Sequence, residues 1–252
     1  MSGHSKWHNI RLKKGKVDAQ RGALFTKLSK EIILAAKNGS PDPEANYRLK
    51  MAVDKARANN MPQDNIKRAI GRASGAGERE IEEIRYEGYG PAGVAVIVDA
   101  ATDNRNRTAS ELRFLFSRND GNLGETGSVG WMFAARGIVE VDPGRLGEDE
   151  LTEKALVDGV IDVRFGAASS SGQAAEVLTE PQALMAVKDA LEAQGLQVRS
   201  AQLAMEPTQT SRPAGSDAEK VLNFLDALEE HEDVQRVYSN ADFDEAQLEA
   251  LA

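Results

Sequence analysis

Apolar positions recur at helical spacing through the first seventy residues. Leu24, Leu28, Ile32 and Ala35/Ala36 lie three or four apart, which predicts one apolar face on a helix from Asp18 to Lys37. Asp18 is a good N-cap and Asn38-Gly39 a natural stop. Ser40-Pro41-Asp42-Pro43 breaks the chain, and a second helix is expected from about Glu44 to Asn59, burying Leu49, Ala52, Val53 and Ala56. Asn60-Met61-Pro62 supplies a turn with proline at the first position of a short third helix, whose core side is Ile66, Ala69 and Ile70. Gly71–Gly77 reads as a linker.

Beyond the linker the period changes. Gly93–Ala101 is a β-rich run, followed by a helix to about Arg118 with Leu112, Leu115 and Phe116 inward. A loop containing Gly121, Gly124, Gly127 and Gly130 leads into an expected strand, Val129–Phe133. Then come a strand (Ile138–Val141), a helix (Glu148–Val157), a strand (Val160–Phe165), a turn at Ser169–Gly172, a strand (Ala175–Leu178), a helix (Pro181–Gln194) and a strand (Leu196–Leu203). That βαββαβ succession is the ferredoxin-like plan. The pieces flanking it, including a helix at Ser216–Glu230 and a strand at Val234–Ser239, make poor folding units alone. The reading is an α+β multidomain protein: a three-helix region at 1–79, a discontinuous α/β domain at 80–135 and 206–252, and a ferredoxin-like α/β domain at 136–205 inserted in it.

Charge divides the chain at the same linker. Residues 1–79 hold 10 Lys and 7 Arg against 7 acidic side chains, a net of +10; the rest holds 14 basic and 33 acidic, a net of −19. The whole-chain value of −9 conceals a region that attracts polyanions. The 252 residues contain no cysteine, which excludes disulfides, thiolate metal sites and cysteine nucleophiles and fits a reducing cytoplasm. No run approaches the roughly 20 apolar residues that span a bilayer. The basic start lacks the apolar stretch of a signal peptide, so no membrane role is expected.

Candidate chemistry follows the charge. Lys6, Arg11, Lys13, Lys14 and Lys16, interleaved with Trp7, predict an arm that is mobile until phosphates and bases engage it. Arg21, Lys27 and Lys30 extend the patch, and Lys50, Lys55, Arg57, Lys67, Arg68 and Arg72 join it only if they share its face. Arg105 and Arg107 open a helix beside Asn104, Asn106 and Thr108, an arrangement suited to cradling a phosphate and equally to a solvated turn.

Other signals are weaker. Gly88-Tyr89-Gly90-Pro91-Ala92-Gly93 matches the dinucleotide fingerprint, but a strand rather than a helix follows it, so a turn is expected. His4 and His8 lack a third ligand, and His231 in an acidic helix reads as a solvated surface residue. Trp131 and Phe133, two apart on an expected strand, share a face and are taken to pack beneath a helix. No motif places a nucleophile or an acid/base pair, so no enzyme activity and no cofactor are expected.

Several segments carry a resemblance. Ser2-Gly3-His4-Ser5-Lys6-Trp7, Arg21-Gly22-Ala23-Leu24-Phe25-Thr26-Lys27-Leu28, Asn59-Asn60-Met61-Pro62, Tyr86-Glu87-Gly88-Tyr89-Gly90-Pro91 and Thr102-Asp103-Asn104-Arg105-Asn106-Arg107-Thr108 resemble the YebC/PmpR family. The resemblance implies an all-helical N-terminal domain, two α/β domains and no catalytic activity. It implies control of gene expression through nucleic acid, since members are usually described as probable transcriptional regulators that bind DNA. Similar proteins of bacteria and mitochondria are linked to translation, which would make ribosomal RNA the partner. A protein-interaction adaptor that uses the acidic half is the third reading.

Overall fold

The structure is a computed structural model that describes residues 17–73, 80–165 and 174–243. Helix α1 runs over Val17–Lys37, α2 over Tyr47–Ala58 and α3 over Gln63–Ala73. Their buried side chains include Leu28, Ile32, Ala35, Leu49, Val53, Ala56, Ile66 and Ala69, which share one core. Two details differ from the pattern reading. Leu24 is 38% exposed rather than inward. Helix α2 begins three residues later than expected, because Asn46 caps it by accepting from the Leu49 N–H at 3.1 Å.

The chain forms two compact units, residues 17–130 with 213–239 and residues 131–212 with 240–243. In the first, four strands form an antiparallel sheet in the order β3-β1-β2-β8: β1 is Glu82–Tyr89, β2 Ala95–Thr102, β3 Asn122–Leu123 and β8 Val234–Ser239. Strands β2 and β8 are neighbours, with Val96 opposite Ser239. Helices α4 (Arg105–Arg118) and α7 (Ser216–Glu230) belong to this unit. Phe116 and Phe224 from these helices meet edge-on at 4.9 Å.

That aromatic pair explains two of the glycines in the false fingerprint. A Cβ on Gly88 would lie 2.7 Å from the Phe116 ring, and one on Gly90 would lie 2.6 Å from Phe224. The motif is the bend of a β1–β2 hairpin, with a short 3-10 turn at Pro91–Gly93, and Gly93 takes a φ of 73°. The turn was foreseen; the strand before it was not.

In the second unit β4 (Phe133–Asp142), α5 (Glu148–Ala155), β5 (Val160–Phe165), β6 (Ala175–Thr179), α6 (Leu184–Ala193) and β7 (Gln197–Pro207) follow the βαββαβ succession. The antiparallel sheet is ordered β5-β6-β4-β7. Val139, Val141 and Val177 are buried on its helix-covered face, with Leu151, Val187 and Leu191. The opposite face carries ion pairs of Arg136 with Glu180, Arg164 with Asp162 and Arg199 with Asp142. No strand spans Val129–Phe133: residues Gly130–Met132 form a 3-10 turn and β4 starts at Phe133. Trp131 and Phe133 therefore do not share a strand face. Phe133 is buried and Trp131 is 66% exposed. The turn expected at Ser169–Gly172 lies outside the described residues.

The packing of Gly90 yields a prediction. Gly90→Ala should cost about 1–3 kcal/mol by forcing Phe224 off its position. This would lower the Tm by several degrees. An unchanged melting curve would show that the ring is not held there.

Candidate nucleic-acid interface

One carboxylate at this sheet gathers cations from two helices. Asp233, just before β8, is fully buried. It accepts from Lys30 Nζ of α1, from Arg107 Nη2 at 2.9 Å and from the Thr108 hydroxyl at 2.7 Å. Burial alone would raise its carboxyl, but the donors from Lys30, Thr108 and Arg107 outweigh that and hold it at about 2. Its backbone is engaged as well, the carbonyl accepting from the Ala101 N–H at 2.7 Å and the N–H donating to His231 Nδ1 at 3.1 Å.

Because Nδ1 of His231 accepts, its Nε2 carries the proton and donates to Glu111 at 2.9 Å. His231 is thus mostly buried, with a side chain only 10% exposed, and is not the solvated residue that its acidic surroundings suggested. The donor atoms of Glu111, His231 and Asp233 lie within 4.8 Å of one another, a spacing that a metal ion could bridge. Both ring nitrogens of His231 and both carboxylate oxygens of Asp233 already make hydrogen bonds, and Lys30 and Arg107 stand beside that carboxylate as cations. The cluster is an ion and hydrogen-bond network, and its chemistry does not suit a metal.

The candidate residues fall into three groups. Lys6, Trp7, Arg11, Lys13, Lys14 and Lys16 lie outside the described residues, as do His4 and His8; Arg21 falls on α1. Lys27 and Arg107 are engaged within the fold. Lys27 Nζ donates to the Glu229 carbonyl at the end of α7, and burial lowers its ammonium to about 8. The side chain of Arg107 also reaches Asp103 at 3.1 Å. Arg105 alone of the second pair is exposed and has no carboxylate partner among the described residues; it stands at the start of a helix capped by Asn104, which accepts from the Arg107 N–H.

The same sorting applies to the cations that the pattern left conditional. Lys37, Arg48, Lys50, Lys55 and Arg57 each face a carboxylate, of Glu80, Glu83, Glu44, Glu31 and Asp54. On α3, Lys67 and Arg68 are exposed, and no carboxylate among the described residues lies within ion-pair distance of either. Among the described residues, α3 thus carries two cations without a carboxylate partner, Lys67 and Arg68, both of which the pattern left conditional on their sharing a face with the arm.

The glycine-rich loop looks like an anion nest and holds an internal anion. The Glu87 carboxylate accepts the backbone N–H groups of Gly127 at 3.0 Å, Val129 at 2.9 Å and Gly130 at 2.6 Å. Burial raises its carboxyl, and these three donors more than reverse the effect, so it titrates below the ordinary range. A carboxylate from β1 occupies the position that a phosphate would take.

Both acids have depressed folded pKa values, so their contribution is full above the unfolded pKa and is lost as pH falls through the folded one. For Asp233 the window is about pH 4 to pH 2. Asp233→Asn should cost about 2–4 kcal/mol at pH 7, because Lys30 and Arg107 lose their counter-charge. It should also flatten the acid limb of stability against pH. Urea unfolding from pH 2 to 7 checks both; an unchanged acid limb would contradict the network. Arg107→Ala should likewise lower the Tm, whereas Arg105→Ala should leave it within about 0.5 kcal/mol of the parent stability.

Comparison with known proteins agrees with this architecture. Residues 5–76 match the family described as "TACO1/YebC protein N-terminal domain", and residues 81–241 match "TACO1/YebC second and third domain". A protein of Rubrobacter xylanophilus named "Probable transcriptional regulatory protein" is 50% identical over 254 residues, covering 100% of both chains. One of the same name from Natranaerobius thermophilus is 49% identical over 99% of each. The crystal structure of the conserved hypothetical protein Aq1575 from Aquifex aeolicus is similar with a TM-score of 0.81 at 44% identity, over 91% of this chain and 93% of that one. With both family matches together spanning nearly the whole sequence, this chain belongs to the TACO1/YebC family.

Proposed function

We propose that this protein is a non-enzymatic regulator of gene expression that works by binding nucleic acid through its basic helical region, with duplex DNA as the first target. The observation that carries the reading is the charge division, +10 in residues 1–79 against −19 in the remainder. A polyanion gains from contact with the first and is repelled by the second, which orients the encounter. The names of the relatives support transcription as the level of control.

The contacts are of two kinds. Lys6, Arg11, Lys13, Lys14 and Lys16 neutralise phosphates, and Trp7 offers a ring for stacking. Arg105 adds a cation at the start of α4, whereas Lys27 and Arg107 act through the fold. The acidic sheet of the second unit faces a protein partner or solvent.

Titration of the full-length protein against duplex DNA and against structured RNA, at 50 to 200 mM salt, tests this. Affinity should fall steeply with salt on the preferred partner, and replacing the five arm cations with alanine should flatten that slope while barely changing the Tm. Absence of binding to either polymer at 50 mM salt would overturn the proposal. Preference for RNA would move the regulation from transcription to translation.

A further inference from the structure

Helix α4 carries apolar side chains on more than the face it buries. Leu112 and Phe116 point into the core, whereas Phe114 is 61% exposed. The Phe114 ring borders an open cleft of about 600 Å³ between α4 and the turn that joins α7 to β8. Ser110, Glu111, Phe114 and Leu115 form the α4 wall, and His231 and Glu232 form the other. Positions 110, 111, 114 and 115 are three to five apart and so lie along one side of the helix. All six residues belong to the first unit. A large ring left at the rim of a cleft, rather than alone on a convex surface, marks a place where another molecule can cover it.

Charge decides what that molecule is. Among the described residues, the cleft is lined by two carboxylates and by no lysine or arginine. Glu232 is exposed, and only its backbone carbonyl is engaged, by Lys30. The half-exposed Glu111 accepts from His231 through one oxygen. His231 adds no charge, because its Nε2 donates to Glu111 while its Nδ1 accepts from the Asp233 N–H. Lys30 is turned toward Asp233, and Arg118, one turn past Phe114, does not line the cleft. Helix α7 ends at the same edge and adds the negative pole of its dipole. A phosphate would meet like charge here, and a neutral apolar ligand would leave both carboxylates without a counter-charge.

We propose that this cleft docks a basic, apolar-anchored segment of another protein. A leucine- or phenylalanine-sized side chain packs on Phe114 and Leu115, and a lysine or arginine of the same segment lies between Glu111 and Glu232. Covering the ring supplies most of the affinity, and the two carboxylates set orientation and association rate. Basic segments of this kind are common on proteins that work on nucleic acid, so the contact joins this protein to a neighbour on the same polymer. The inference is independent of the nucleic-acid reading above: the cations of the basic region take no part in it.

The test measures polarisation of a short fluorescein-labelled peptide of lysine and leucine on the full-length protein. A lysine–serine peptide and a glutamate–leucine peptide serve as controls. The lysine–leucine peptide should bind saturably, and each control about tenfold more weakly or less. Phe114→Ser should weaken binding about tenfold, and Phe114→Tyr should keep most of it. Glu232→Lys should weaken it about fivefold at low salt. Glu153→Lys makes the same charge change at an exposed acid of α5 and should have almost no effect. Thermal melting verifies folding. Ser110→Lys, which leaves the ring in place and sets a cation in the cleft, should act as Glu232→Lys does.

No binding of the lysine–leucine peptide, or equal binding of the lysine–serine peptide, would overturn the proposal. So would an affinity that Phe114→Ser leaves unchanged. Equal losses in Glu232→Lys and Glu153→Lys would reduce the effect to net charge and overturn the site. Self-association of the parent that Phe114→Ser abolishes would give the cleft to a second copy of this chain. Nucleic-acid affinity that Phe114→Ser lowers would give it to a stacked base. Either result would overturn the assignment to a basic protein segment.

Discussion

A single buried carboxylate holds the first unit together. Asp233 could not stay charged in a solvent-free position without compensation, and three side-chain donors supply it from two directions: Lys30 from α1, and Arg107 with Thr108 from the first turn of α4. The helices and the sheet are thereby fixed to one another at one point. Around it Lys27 reaches the end of α7, His231 links Asp233 to Glu111, and the Asp233 carbonyl ties back to β2 through Ala101. The arrangement also favours α7 itself, since a lysine at the helix C-terminus meets carbonyls that the helix leaves unpaired.

This network divides the cations by task. Arginines and lysines that look equivalent in the sequence separate into those that neutralise the protein's own acids and those left for another molecule. Arg105 and Arg107, two residues apart, fall on opposite sides of that line: one is exposed at a helix start, and the other is drawn to Asp103 and Asp233. Glu87 does for the backbone what Asp233 does for side chains. It fills with an internal charge a glycine-rich loop that would otherwise solicit an anion.

Much of the fold was legible because burial and local signals agree. The ends of α7, β5 and β8 follow from the apolar spacing and the breakers beside it, and the βαββαβ succession in the second unit was readable, although the strand expected at Val129–Phe133 is a turn and β4 starts earlier than expected. Strand β1 was not. Its residues Glu82, Glu83, Arg85 and Glu87 show no apolar alternation, because the charged side chains find partners from elsewhere: Asp99 for Arg85 at 2.7 Å, and the 127–130 backbone for Glu87. Long-range pairs of this kind have no period. The same holds at the candidate site. The basic bias of the first 79 residues was plain, but which cations remain unspent depends on acids up to 203 positions away, as for Lys30. His231 was misread for that reason too. Its acidic neighbours in sequence suggested solvent, whereas in space it joins Glu111 to the backbone of Asp233.

The central claim is that external anions meet the cations the fold has not used. Photo-crosslinking in cells, followed by mass-spectrometric mapping of nucleotide-modified peptides on the full-length protein, tests it most directly. Crosslinks should concentrate on α3, at Lys67 and Arg68, and on the basic residues that precede Asp18. They should be absent from Lys27, Lys30 and Arg107. Crosslinks centred on those three, or on the acidic sheet formed by β4 to β7, would contradict the account.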